Sequence, residues 1–474
     1  MNSNIILNDE QKKALKIMHE NGNVFLTGEA GTGKSTVLKA FMNQTKKNVV
    51  IVAPTGVAAI NAGGTTIHSF FQFPCTVLKA NELEGIRSPK RKELIKNTDV
   101  VIIDEISMVR SDVFSAIDTR LRFLGDSSKP FGGKQIIVCG DFFQLPPFAV
   151  TSAENIYLKT VFGGIYAFET AAWKNNFETV FLKTVHRQTD RVFAEILAKL
   201  RKNDMTSCDI MLPNYDEPMT ALEALNTTAV RKPDENAITL CTRKNEAFAI
   251  NIKKAAEITA PVHRFTAKVS GDFKEALYPT SECLELKVGE RVMTLANKYE
   301  GQEMIYCNGD MGKIIAIDDE MVTVEFDKGI VAEIKPYVWS QYDYELIKEN
   351  SKTKLIQKEV ARFCQIPLRL AYAITVHKAQ GLTLNSSHIV LGNGCFAAGQ
   401  CYTALSRIRS LDGLTLDREI KSDDLFFAPE VISYYNEIDS KEQQEVVNLE
   451  IPAAYAEKMK RILAELIEKE NLSA

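Results

Sequence analysis

One stretch constrains this chain more than any other: residues 28–36, which read GEAGTGKST. An apolar run, Val24-Phe25-Leu26, precedes it as a short buried strand, and Val37 to Met42 follow as the first turns of a helix. Strand, glycine-rich turn, then helix is the setting in which a G-x-x-x-x-G-K-[ST] pattern holds phosphate. The chemistry explains the residue types. Gly31 and Gly33 let the backbone wrap closely round a polyphosphate. The N–H groups of the stretch, from Gly28 through Ala30 and Thr32 to Thr36, join the helix N-terminus in holding negative charge. Lys34 is placed to reach the β- and γ-phosphates, and the Ser35 hydroxyl to sit on Mg²⁺. A chance glycine-rich turn is the bland alternative, and the partners of the stretch weigh against it. The stretch reads as an ATP-type nucleotide site on a parallel α/β sheet.

At 474 residues the chain has room for two or more domains. Its net charge of -4 provides no bulk basic field for a polyanion, so any nucleic-acid site must be a local groove. Nine cysteines, an odd number without a C-x-x-C pair, fit a reducing compartment better than a disulfide framework or a zinc module. The first residues lack the charged start and apolar core of a signal peptide, and no apolar run reaches the roughly 18 residues that span a bilayer. A soluble cytoplasmic protein with no membrane partner is the expectation, associated with the nucleoid if the source is bacterial.

Around the nucleotide stretch, Asn8 and Gln11 form a helix-capping pair. The Gln11 amide could also read an adenine edge, and local physics favours capping. Residues 48–53 read as a strand that delivers Thr55 and Gly56 to its carboxyl end, where open α/β sheets place ligands. His68 lies among aromatics; core or surface filling is the usual role there, a base-stacking platform the minority one. Lys90-Arg91-Lys92 reads as a solvated helix face rather than a DNA contact. The strand at 99–103 ends in Asp104 and Glu105, and acids at a buried strand tip are costly unless they serve something. Beside a phosphate loop, Asp104 would bind the metal and Glu105 would polarise the attacking water. A further strand, 134–141, runs into a proline-stiffened loop that places Gln144 as a γ-phosphate sensor, with a plain surface glutamine as the alternative.

Residues 237–243, 368–375 and 388–392 read as strands of a second sheet without a phosphate loop. Between 251 and 358 the pattern changes to short alternating segments with turn signals, the signature of a small β-barrel inserted into the second sheet domain. Tyr455, Met459, Ile462, Leu463 and Leu466 share one helical face, so 452–471 should dock as an amphipathic helix.

From about residue 5 to 418 the sequence resembles the PIF (petite integration frequency) helicases, superfamily-one enzymes grouped with RecD and Dda. The motifs that carry the resemblance are GEAGTGKST (28–36), APTGVAAINAGGTTIHSFF (53–71), VIIDEISMV (101–109), KPFGGKQIIVCGDFFQLPPF (129–148), VHRQ (185–188), NGDMG (308–312), ITVHKAQGLTL (374–384) and GQCYTALSR (399–407). The segment from Asp112 to Arg122 resembles that family's own signature helix. Three small departures, Ala379 for a usual serine, Thr403 for valine and His186 for phenylalanine, remove no charge or metal ligand.

The resemblance implies two tandem RecA-like domains, at 1–65 with 85–182 and at 183–252 with 358–435. A wedge insert at 66–84, an SH3-like barrel at 253–357 and a C-terminal helix at 436–474 complete the expected plan. It raises Gln11 to an adenine reader, adds Gly381 to the nucleotide contacts, and makes Arg187 and Arg407 the arginines that cross the cleft to the γ-phosphate. Thr55, Gly56, His68, Asn297, Thr375 and His377 would line a groove for single-stranded DNA. The implied activity is ATP- and Mg²⁺-dependent five-prime to three-prime translocation, unwinding tailed or forked duplexes in genome maintenance, with G-quadruplex DNA and RNA–DNA hybrids as further substrates. The enzyme would be a monomer able to dimerise on DNA. Two competitors share these motifs: an ATP switch gated by nucleic acid that separates no duplex, and a RecD-like subunit active only inside a nuclease complex.

Overall fold

Runs of Val, Ile and Leu too apolar to face water on either side become the central strands of a parallel sheet. Six strands build it: β1 (Val24–Gly28), β2 (Val49–Ala53), β3 (Thr65–Thr66), β4 (Val100–Ile103), β5 (Gln135–Cys139) and β6 (Glu178–Leu182). Their order is β3-β2-β4-β5-β1-β6, with every pair parallel. β1, β4 and β5 are buried along their whole length. Helices α1 (Asp9–His19) and α2 (Lys34–Gln44) cover one face, packing Ala14, Met18, Val37 and Phe41 against Val24, Leu26 and Ile137. Since β1, β4 and β5 all point the same way, their carboxyl ends bring Gly28, Asp104 and Gly140 to one rim, the usual ligand edge of such sheets.

The computed structural model describes residues 7–450 except 21, 75, 80–85, 87, 148–150, 189, 234–236, 301–302 and 350–351. Residues up to 426 make one unit and those from 427 a second. Within the first unit lies the second sheet, centred on Ile238–Cys241, with Ala373–Thr375 on one side and Ser387–Val390 then Leu414–Leu416 on the other. These four strands are also parallel. The second unit contributes the helix Pro429–Glu450. The amphipathic helix expected at 452–471 lies outside the described residues.

Between the helix Lys244–Ala256 and Ala373 the chain switches to antiparallel pairing. Arg291–Thr294, Met311–Ile317, Val322–Phe326, Val331–Ile334 and Leu368–Leu370 form a five-stranded sheet. The pair His263–Thr266 and Cys283–Leu286 closes over the same core, burying Leu284 and Leu286 with Val292, Ile314, Val324 and Phe326. The barrel-like insert therefore has an open hydrogen-bonded order, its core completed by a separate two-stranded piece.

Two features differ from the sequence expectation. The run 368–375 is not one strand: Leu368–Leu370 pairs in the antiparallel insert and Ala373–Thr375 in the second parallel sheet. The break is held by hydrogen bonds to both sides, Ala371 N donating to Arg291 O and Thr239 N to Tyr372 O. A long hairpin, Tyr337–Glu349 with Lys352–Gln365, runs across the boundary expected at 358. Its base packs Trp339 and Phe363 on Phe273, with Ile60 and Leu277 against them. Ile60 belongs to α3 (Gly56–Ala62), so the insert reaches the first sheet beside Gly56.

Of the expected wedge at 66–84, residues 75 and 80–84 lie outside the description. The rest begins on the edge strand β3 and enters α4 (Ile67–Phe71), where Phe70 and Phe71 are fully buried. The helix Ser111–Leu124, which contains the signature segment, holds this region through Asp112. That buried carboxylate pairs with Arg110 and accepts from Leu78 N at 2.7 Å.

Candidate nucleotide and nucleic-acid site

The turn between β1 and α2 follows from its glycines. Gly31 (φ +87) and Gly33 (φ +83) adopt the left-handed conformation that side chains disfavour. Gly31 also lies against the Arg187 backbone: a Cβ there would fall 3.1 Å from Arg187 N. Thr32 is buried and its hydroxyl donates to Glu29 O at 3.0 Å, while Ala30 is buried in the turn. Lys34 donates to the carbonyls of Gly28 and Glu29, at 2.8 and 2.9 Å. Burial lowers its pKa below the ordinary lysine value. Ser35 and Thr36 occupy the first turn of α2.

Gln11 takes the capping role, and its amide also reaches the turn. It completes the capping box with Asn8, and its Nε2 donates to Thr32 O at 3.2 Å, tying α1 to the phosphate turn. Across the same turn, His186 N donates to Gly31 O at 2.9 Å. Arg187 is thereby set beside the turn, and its Nη1 donates to Ser406 O at 3.0 Å. Burial and the nearby Arg407 guanidinium push its pKa down to about 9.

The acids stand where β4 ends. Asp104 N donates to Val52 O, and Glu105 takes a left-handed conformation (φ +52) that turns the chain out of the sheet. Burial, and then the Asp104 carboxylate, raise the Glu105 pKa to about 7. Burial likewise raises that of Asp104. Glu105 Oε2 accepts from Gln380 Nε2 at 2.9 Å, a contact from the second sheet's side. Arg407 is fully buried at the end of the helix Gln400–Leu405. Its guanidinium donates to Thr403 O at 3.0 Å, Ser406 Oγ at 2.9 Å and Gln144 Oε1 at 3.2 Å. Groups on both sheets therefore meet at one rim: Lys34, Glu105 and Gln144 from the first; Arg407 from the second, with Arg187 bonded to the neighbouring Ser406 carbonyl.

Beneath that rim lies a buried ion pair that no motif singled out. Arg201 Nη2 contacts Asp141 Oδ1 at 3.2 Å, and its guanidinium sits over the Phe143 and Phe181 rings, 4.6 and 5.0 Å from their centroids. Arg201 ends a helix, where a basic residue ordinarily reads as a solvated partner of the helix dipole. Gln380 was also missed as a contact, although it stands inside a quoted motif. Gly381 beside it has open space where a side chain would project.

Of the residues expected to line a DNA groove, Thr55 and Thr375 stand at comparable strand ends. Thr55 caps α3 after β2, accepting from Ala58 N at 3.2 Å, and Gly56 opens that helix. Thr375 likewise caps the short helix Val376–Ala379 after its strand, so the two threonines hold equivalent positions on the two sheets. His68 and His377 are half-buried, and burial keeps both below the ordinary histidine pKa. Asn297 lies on the insert, where its Oδ1 accepts from Asn308 N at 2.6 Å and anchors the NGD turn.

Comparison with known proteins identifies relatives along most of the chain. The family described as PIF1-like helicase matches residues 6–207. The human ATP-dependent DNA helicase PIF1 is 32% identical over 418 residues, spanning 86% of this chain. This chain covers 60% of that relative's length. ATP-dependent DNA helicase Pif1 of Bdellovibrio bacteriovorus is 31% identical over 450 residues, covering 92% of this chain and 93% of the relative. Bacteroides sp Pif1 in complex with ADP-AlF4 superposes with a TM-score of 0.82 at 34% identity, over 92% of this chain and 98% of that one. Pif1 helicase from Bacteroides in complex with ADP-AlF3 and ssDNA superposes with a TM-score of 0.63 at 35% identity, over 92% of this chain and 98% of that one.

Proposed function

We propose that this chain, which belongs to the PIF1-like helicase family, is an ATP-dependent DNA helicase moving five-prime to three-prime on a single strand. The observation that carries the reading is the meeting of Arg407 and Arg187 with the phosphate turn and Gln144 at the rim of the first sheet. ATP would be held by the turn and Lys34, with Gln11 against the base. The arginines answer negative charge that develops on the γ-phosphate, and Glu105 accepts a proton from the attacking water. Because that charge disappears with the phosphate, the halves close on the triphosphate and part after hydrolysis. Thr55 and Thr375, on equivalent strand ends, would then carry the strand forward in steps, with His68 and His377 beside the bases.

Mg²⁺ fits the donor set. The Ser35 hydroxyl and Asp104 carboxylate are hard oxygens, and Mg²⁺ takes only one or two protein oxygens beside phosphates and water. Bound there, Mg²⁺ would neutralise triphosphate charge.

Tailed and forked duplexes are the expected substrates; G-quadruplex DNA and RNA–DNA hybrids extend the same reading, as does dimerisation on DNA. No described helix is long and apolar enough to cross a membrane, and every described cysteine is free; a place beside cytoplasmic DNA belongs to the same helicase reading. The test is ATP-dependent unwinding of one duplex with a five-prime tail and one with a three-prime tail. Opening of the five-prime-tailed duplex alone, abolished by Lys34→Ala, is the expected result. Opening of the three-prime-tailed duplex alone overturns the polarity. DNA-stimulated hydrolysis without any opening turns the reading to a switch or a partner-dependent subunit.

A further inference from the structure

Gln380 has half of its amide in use. Its Nε2 donates to Glu105 Oε2 at 2.9 Å. A carboxylate oxygen only accepts, so this contact orients the amide, with nitrogen toward Glu105 and Oε1 on the other side. That Oε1 is buried and has no hydrogen-bond partner among the described residues. Buried amide oxygens are nearly always paired, so one held idle beside a reactive carboxylate points to a guest. Gln144, an amide on the first sheet's side of the cleft, already has its oxygen engaged by Arg407 at 3.2 Å.

We propose that Gln380 is a catalytic residue for ATP hydrolysis: together with Glu105 it holds the attacking water, which donates one hydrogen to the Glu105 carboxylate and the other to Gln380 Oε1. The inference rests on the reading of this cleft as an ATP-hydrolysing site. A water with both hydrogens so committed presents a lone pair away from the two acceptors. Its oxygen bonds to the γ-phosphorus while the bond from that phosphorus to the β–γ bridging oxygen breaks. ADP leaves with the bridging oxygen, and the water's proton passes to Glu105; Gln380 neither gains nor loses one. The two acceptors come from different sheets. Glu105 ends β4, whereas Gln380 follows the helix Val376–Ala379 that Thr375 caps. Water is therefore correctly held only while the halves meet, and a strand lying along Thr375 and His377 would bear on the same short helix.

The test uses the full chain and Gln380→Met, which keeps the side chain's bulk and removes both ends of the amide. Turnover with saturating ATP and single-stranded DNA should fall about 10- to 100-fold, the scale on which misplacing a reactant acts. The KM for ATP and the affinity for single-stranded DNA should stay within about twofold, since neither contact is lost in the ground state. Affinity for ADP with aluminium fluoride, which mimics the transition state, should fall by the same factor as turnover. Turnover within about twofold of the wild type overturns the proposal. Loss of turnover together with ATP affinity, or with analogue affinity unchanged, overturns it equally, because a structural role then suffices. A wild-type chain that hydrolyses no ATP defeats the ATP-site reading itself; an active wild type with an equally active variant defeats this inference alone.

Discussion

Replacing Arg201 by alanine should cost about 3–5 kcal/mol of stability, because it breaks the buried ion pair with Asp141. The structure sets the scale. The two groups approach to 3.2 Å and are 6% and 1% exposed, so solvent does little to screen them. At an effective dielectric near 20, unit charges at that separation attract by about 5 kcal/mol. The Phe143 and Phe181 rings flanking the guanidinium add about 0.5–2 kcal/mol. Asp141→Ala breaks the same pair from the other side and should cost a similar amount. The double replacement Arg201→Met with Asp141→Leu removes both charges of the pair together and should cost less than the sum of the two single replacements, by about 3 kcal/mol. Trp173 is a natural probe: it is 4% exposed and its ring lies 5.7 Å from that of Phe142. In a Trp339→Phe background its fluorescence reports urea unfolding of the first sheet alone. Single replacements costing under about 1 kcal/mol, or a double that costs their sum, would refute the assignment of a desolvated, mutually dependent pair.

Two other perturbations follow from the geometry. Gly31→Ala forces a Cβ into the left-handed turn against Arg187, so nucleotide affinity should fall at least tenfold (about 1.4 kcal/mol) in equilibrium titration; unchanged affinity would contradict the close approach. Burial depresses the pKa of His68, His377 and His388 below the unfolded value near 6.5. The unfolded chain therefore takes up protons that the folded one resists, so stability is full above about pH 6.5 and is lost as pH falls through the folded values. Thermal unfolding should show this fall, and His388→Asn should flatten it; an unaltered pH slope would exclude His388 as a contributor.

The parallel sheets were legible because buried strands and their loop chemistry leave strong local patterns: β1, β4 and β5 are continuous apolar runs, and each ends in its motif. The phosphate turn, Asp104 and Glu105 were legible for the same reason. Less visible was anything decided by pairing at a distance. The split of 368–375 between two sheets depends on Arg291 and Thr239, far away in sequence, and residues 368–375 themselves contain no glycine or proline to announce it. The length of the hairpin at 337–365 is fixed by cross-strand register rather than composition. Arg201 and Asp141 lie 60 residues apart, and only folding makes them a pair. The capping role of Gln11 was readable from its spacing to Asn8, but a one-dimensional pattern could not show that the same amide also bonds Thr32 O in the phosphate turn.

The measurement closest to the central claim is steady-state ATP hydrolysis with single-stranded DNA, comparing the wild type with Arg407→Ala while following nucleotide binding separately. Arg407 is carried by the second sheet's side and bonds Gln144 of the first. If ATP is cleaved between them, turnover should fall about 1,000-fold or more, as it does when an arginine that answers γ-phosphate charge is removed, while nucleotide still binds through the turn and Lys34. Hydrolysis at the wild-type rate by Arg407→Ala would contradict the account, since the first sheet would then be doing the chemistry alone.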